Sequence, residues 1–335
     1  MRSRPDEGRE RFLFLVHESD GDNNRLLLIV GNLEGNQMMT TAQVKELWKA
    51  TGAGLLDCKN ALQANDGDFE RAAVYLREKV MAHAAQKASR ETRAGLVIVQ
   101  AAGTGVCAVQ VNCETDFVAR TDEFKTLAHR AAERVLADAS LTNVEKLLAA
   151  DLAPGRATAE AIQELASKLG ENIAIRYVAR YTLDDTNVVQ SYIHAGDIDG
   201  HYGLTEGRVG VVVELGARNA TPAARQALEG LAHDLTLHIV SASPTYLAPG
   251  DIPDDVAQQE RDRIMARLAG ENKPDHVRAE IIQGQLDKFM QQACLLKQAF
   301  VKDEGVSIEE FVQQKSMEIG LPVTINRFTR LEVEA

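Results

Sequence analysis

The chain of 335 residues carries 49 acidic against 37 basic side chains, a formal net charge of -12 with no block of Lys and Arg rising above it. That balance leaves no electrostatic footprint for direct nucleic-acid binding and points to a protein or small-molecule partner, while the length suggests two or three domains that need no disulfides. Cys58, Cys107, Cys113 and Cys294 are scattered without a CxxC pair, which fits a reducing, cytoplasmic setting, and no apolar run approaches the ~18 to 20 residues that span a bilayer.

Residues 1–38 read as an extension, either poorly ordered or lying ahead of a true start at Met38 or Met39. FLFLV at 12–16 follows acidic residues and is stopped by HESDGD, so it lacks the basic start and cleavage site of a secretory signal. It is also able to pair with LLLIV at 26–30 as a hairpin across HESDGDNN. Residues 39–79 then predict a three-helix domain. Thr40, three residues before Gln43, offers a capping box. Val44, Leu47 and Trp48 make the first apolar stripe, TGAG at 51–54 ends it, and Leu55, Cys58, Ala61 and Leu62 make the second. NDGD breaks that helix, and Phe69, Ala72, Ala73 and Leu76 line the third. Residues 80–93 are polar and helix-compatible and read as a linker.

From 94 to 188 the pattern is strand, strand, helix, helix, strand. GLVIVQ and VCAVQV flank AAGTG, the signature of an antiparallel hairpin. After the corner ETDF, Thr121 caps a helix with the stripe Phe124, Leu127, Ala128, Ala131 and Val135. TAEAIQELASKLG reads as a second helix stopped by Gly170, and NIAIRYVARYTL as a strand. Residues 189–335 repeat the plan. SYIHAG precedes a turn-rich loop, RVGVVVELGA is a strand, and Thr221 with Pro222 opens a helix striped by Leu228, Leu231, Ala232, Leu235 and Ile239. ARNA replaces the ETDF corner in this second copy. An antiparallel helical hairpin at about 254–298, divided by GENKP, is inserted before a capped helix at Ser307 and a closing strand VTINRFTRLEVE.

The residues give catalysis little support. Glu114 and Asp116 stand two apart and share a face if the strand persists, but they lie at its frayed end, where solvated acids are the common case. His194, Asp197, Asp199 and His201 match no metal-ligand spacing. His129, His233 and His238 fall within helices without an adjacent nucleophile, and GTG at 103–105 is too short for a nucleotide fingerprint. An interaction protein leads, with Phe117 either a core residue at a strand-to-helix corner or an aromatic wedge held outward.

TAQVKELWKATGAGLLDCKNALQANDGDFERAAVYLREK, ETDFVARTDEF, YIHAG, the KP turn at 273–274, IIQGQLDKF, CLLKQAFVKD and FTRLEV together resemble the bacterial elongation factor Ts family from about Thr40 to Glu334. The resemblance implies a guanine-nucleotide exchange factor for elongation factor Tu, in its GDP-bound or nucleotide-free state, with no covalent chemistry, cofactor, nucleic-acid or membrane partner. It implies an α+β fold with a small ubiquitin-associated-like three-helix domain, two related core subdomains with antiparallel strands, and an inserted coiled-coil hairpin. The family's TDFV corner falls on Thr115, Asp116, Phe117 and Val118. By resemblance this loop enters the GTPase near the nucleotide's magnesium, with Phe117 the wedge, Asp116 its polar guide and Val118 the support. The resemblance also brings the helical unit against that GTPase domain and the C-terminal part of the core elsewhere on the partner. The chain departs from the family at ARNA, at Ala279 and Glu280, and in a longer loop over 197–208.

Overall fold

Local signals set the helices of the first of two units, Met1–Ala82 and His83–Ala335. The computed structural model describes residues 12–20, 23–31, 40–51, 54–87, 90–103, 105–194, 205–268 and 274–334. Strands β1 (Phe12–Asp20) and β2 (Asn23–Gly31) pair antiparallel from Phe12↔Gly31 to Asp20↔Asn23, so the pairing runs through most of HESDGDNN. In the capping box before α1 (Thr41–Thr51), the Thr40 N–H donates to Gln43 Oε1 at 2.9 Å and the Gln43 N–H to Thr40 Oγ1 at 3.2 Å. Helix α2 (Leu55–Ala64) stops where Asp66 and Gly67 turn left-handed, at φ 53° and 79°. Helix α3 (Phe69–Lys87) runs through most of the segment expected as a linker, because REKVMAHAAQK contains neither Gly nor Pro to end it. Leu47, Cys58, Ala61, Leu62, Ala72 and Leu76 form the core, and Lys79 reaches back to Asp57 at 2.8 Å. Trp48 and Leu55, expected on the inner stripes, are 46% and 54% exposed instead. The buried seam between the three helices is narrow, and those two positions fall on its outer side.

The second unit is an α+β assembly built on two larger antiparallel sheets, with two small two-stranded ones beside them. Strands β3 (Ala94–Ala102) and β4 (Gly105–Cys113) pair from Ala94↔Cys113 to Ala102↔Gly105. The chain continues through α4 (Asp116–Ala119), α5 (Asp122–Ala137), α6 (Val144–Ala149), the short strands β5 (Asp151–Ala153) and β6 (Arg156–Ala157), α7 (Thr158–Leu169), β7 (Ile173–Thr182) and β8 (Asn187–His194). Next come β9 (Glu206–Gly207), β10 (Val209–Gly216), α8 (Pro222–Ala242), α9 (Asp254–Leu268), α10 (Asp275–Ala293), β11 (Ala299–Phe300), β12 (Asp303–Ser307), α11 (Ile308–Ile319) and β13 (Ile325–Glu332). One larger sheet has the order β7-β4-β3-β9 and the other β13-β10-β8, while β5-β6 and β11-β12 pair as two-stranded sheets.

Strand periodicity explains the layers. Ile98, Cys107, Val109 and Val111 face Phe124, Leu127, Ala128, Ala131 and Val135 of α5 and Ala161, Ile162 and Ala166 of α7. Their sequence neighbours Val97, Val99, Val106 and Ala108 point the other way and pack with Tyr181, Ile193, Val212 and Leu331 between the two sheets. Both faces of β3 and β4 are therefore covered, which is why GLVIVQ and VCAVQV read as continuous apolar runs instead of alternating ones. The second sheet packs its other face on α8 and α11 through Val211, Val213, Leu228, Leu235, Ile239, Ile308 and Phe311. Thr221 Oγ1 accepts from the Ala224 N–H at 3.2 Å, and Ser307 and Glu310 close a capping box.

The turn-rich stretch ahead of β10 yields β9, whose Gly207 and Glu206 pair with Val97 and Ile98 at the sheet edge. Helix α10 ends at Ala293, short of the boundary expected near 298. Cys294 and Leu295 are fully buried and draw the chain inward there. Both legs of the α9–α10 hairpin root at one place: the Thr245 and Tyr246 N–H groups donate to Ala293 O at 2.8 and 2.9 Å. Among the described residues no helix is long and apolar enough to cross a membrane.

Candidate functional site

The corner after β4 follows from where its pairing stops. The last rung joins Cys113 to Ile173, and Cys113 is fully buried, its thiol pushed up to about 12 chiefly by that burial. Thr115 is extended and caps the single turn of α4. Val118 and Ala119, 8% and 5% exposed, enter the same core as Phe124. On a helical turn, successive side chains point about 100° apart, so anchoring 118 and 119 inward leaves Phe117 outward. It is 79% exposed, and Phe124, seven positions later in the chain, is completely buried. The same turn places Arg120 within 3.0 Å of Asp116. Thr121 ends the corner by accepting the Phe124 N–H at 3.3 Å, which starts α5.

The corner is also held from a distance. Helix α7 closes on Gly170 in the left-handed conformation, φ 80°, and the chain turns so that Glu171 meets the end of β4. One Glu171 oxygen accepts from the backbone N–H groups of Glu114 and Thr115 at 3.1 and 3.0 Å, and the other accepts from the Thr115 hydroxyl at 2.5 Å. Glu114 answers in kind: its carboxylate accepts the Asn172 N–H at 2.6 Å and lies 3.5 Å from the Arg90 guanidinium. Nothing in the local sequence pattern signals Glu171, since its partners lie 56 and 57 positions away.

Of the sequence candidates, Thr115, Asp116, Phe117 and Val118 therefore come together in one corner. Glu114 and Asp116 are turned to different partners, Asn172 and Arg90 for one, Arg120 for the other. His129 bridges Gln100 and Glu206 at 2.9 and 2.7 Å. Burial opposes ionisation of Glu206, but hydrogen bonds from Lys125 and His129 outweigh it and hold its carboxyl below the usual range. His238 is fully buried, facing Gln298 at 2.9 Å and receiving the Val301 N–H on Nδ1 at 3.3 Å. His194 stacks on Tyr192, whereas Asp197, Asp199 and His201 lie outside the described residues. Among the described residues no three His, Cys, Asp or Glu side chains group to hold a metal ion.

A family model described as Elongation factor TS matches residues 114–335, beginning at this corner. Elongation factor Ts of Clostridium perfringens is 38% identical over 297 residues, covering 88% of this chain and 93% of that protein. The chain belongs to the elongation factor Ts family. Members from Symbiobacterium thermophilum and Trichlorobacter lovleyi are 37% and 36% identical over 297 and 296 residues, covering 88% and 87% of this chain and 91% of each relative. Family membership spans both units, since an alignment of 297 residues is longer than the second unit alone.

Proposed function

We propose that this chain is a cytoplasmic guanine-nucleotide exchange factor that binds elongation factor Tu in its GDP-bound or nucleotide-free state and drives GDP out by inserting the Asp116–Phe117 corner near the nucleotide's magnesium. Membership of the elongation factor Ts family supports the coarse part, exchange on elongation factor Tu without covalent catalysis. The observation that carries the finer part is a phenylalanine 79% exposed on a turn whose next two residues are buried. An aromatic side chain in that setting stabilises the free chain little and is already oriented for a pocket on a partner.

The mechanism is linkage between two ligands of one GTPase. GDP leaves slowly because its phosphates and the bound Mg2+ must be released together. A buried aromatic anchor contributes about 2 kcal/mol or more, and whatever part of that is realised only in the open, metal-depleted GTPase shifts it toward that state. Each 1.4 kcal/mol of coupling weakens nucleotide binding about tenfold, and rebinding nucleotide weakens the exchange factor equally. Asp116, 40% exposed and paired with Arg120, guides the turn, and Val118 seats it in the core.

In this reading the helices of the first unit form the family's ubiquitin-associated-like domain, and the exposed Trp48, Leu55 and Leu56 give it a surface for the same GTPase. The two sheets with their helices are the two related core subdomains, and α9–α10 is the family's coiled-coil hairpin. The test is release of fluorescent GDP from elongation factor Tu. Phe117→Ala should reduce the acceleration at least tenfold, with Asp116→Ala less affected. Full acceleration by Phe117→Ala removes the wedge, and tight binding with no acceleration by the wild-type chain marks a scaffold instead.

A further inference from the structure

We propose that Glu171 is a positioning residue for exchange, its carboxylate holding the turn that presents Phe117. The inference rests on the reading of Phe117 as the wedge. Strands β4 and β7 stop pairing at Cys113↔Ile173, and the residues just beyond continue the connection with side chains. Glu171 takes the N–H groups of Glu114 and Thr115, and Glu114 takes the N–H of Asn172. The two carboxylates thus cross, each satisfying the other strand's first unpaired donor. Thr115 caps α4 without a side-chain cap bond of its own, and its hydroxyl donates to Glu171 at 2.5 Å instead. Both oxygens of Glu171 are therefore used on Glu114 and Thr115, three and two residues before Phe117.

A loop held this way needs no ordering at the moment of binding. Without Glu171, only a fraction of molecules present Phe117 correctly, and the apparent affinity falls by that fraction. The rate reached once the partner is saturated is unaffected, because the competent form is unchanged. A glutamine side chain keeps the arrangement: its carbonyl accepts from the two backbone N–H groups, and its amide donates to the Thr115 hydroxyl, which serves equally as acceptor. The positioning role therefore depends on geometry more than on charge.

The experiment follows GDP release from elongation factor Tu against concentration of the full chain. Glu171→Ala should raise the half-saturating concentration about tenfold at an unchanged plateau, and Glu171→Gln should stay within about twofold of the wild type. In a Phe117→Ala background, Glu171→Ala should add nothing. If Glu171→Ala does not fold, Thr115→Val tests the same connection with a rise of roughly two- to threefold, the loss of one hydrogen bond of three. An unchanged half-saturation, a Gln variant as impaired as Ala, or an equal effect with and without Phe117 overturns the proposal. Impairment by Phe117→Ala with silence at Glu171 defeats the positioning role alone. A silent Phe117→Ala defeats the wedge and the positioning role with it.

Discussion

Phe117 and Phe124 sit seven residues apart, and the energetics of their removal should differ sharply. Phe124 is fully enclosed by the helix-side core of the first sheet, whereas Phe117 touches little. Truncating a buried phenylalanine costs about 3–5 kcal/mol, and an exposed one lies within about 0.5 kcal/mol of neutral. Urea unfolding should accordingly show Phe124→Ala severely destabilised and Phe117→Ala indistinguishable from the wild type. A Phe117→Ala midpoint lowered as far as that of Phe124→Ala would assign the ring to the protein's own interior. The corner was legible because the apolar run of β4 and the stripe of α5 both stop around it, leaving one phenylalanine between a strand and a helical period. Its outward direction was not, since orientation depends on Val118 and Ala119 reaching the core. Glu171 was illegible for a different reason: a hydrogen bond between strand ends joined through four helices and two short strands leaves no local pattern.

At the scale of elements, the root of the α9–α10 hairpin contains a buried switchable group. Val301 N–H donates to Nδ1 of His238, which fixes the proton of the neutral ring on Nε2, facing Gln298 Oε1. Gln298 in turn donates to Ala242 O at 3.2 Å at the end of α8 and to Gln292 O at 2.7 Å in α10. Burial lowers the pKa of His238 from its ordinary 6.5, so the fold binds its neutral form. Stability from this group is complete above that ordinary value and is lost as pH falls from it toward the depressed folded value. The urea midpoint should therefore drop between pH 7.5 and 5.5, and the drop should shrink in His238→Gln. An equal drop in the variant would place the titration elsewhere. Helix caps at Thr40, Thr121, Thr221 and Ser307 were readable from short motifs because each is satisfied within three residues. The ends of α3 and α10 were not, since one continues for lack of a breaker and the other stops under tertiary packing of Cys294 and Leu295.

For the whole molecule, two antiparallel sheets share an apolar layer, pinned by a buried bond of 2.6 Å between the Tyr181 and Thr329 hydroxyls. That layer makes β4 an interior strand, covered on both faces, so the corner at its end is borne by a rigid element and not by a free loop. The repeat of strand and helix was visible along the chain, but the pairing of β9 with the first sheet was not, because a two-residue strand carries no periodicity. In the proposed mechanism, this rigid support lets contact energy at Phe117 be spent on opening the partner GTPase. The most direct measurement is the full binding cycle: the affinity of the chain for nucleotide-free and for GDP-bound elongation factor Tu, together with the affinity of GDP for the GTPase with and without the chain. GDP and the wild-type chain should weaken each other by one common factor, and Phe117→Ala should reduce that factor at least tenfold. A coupling factor unchanged by loss of the ring would contradict the account.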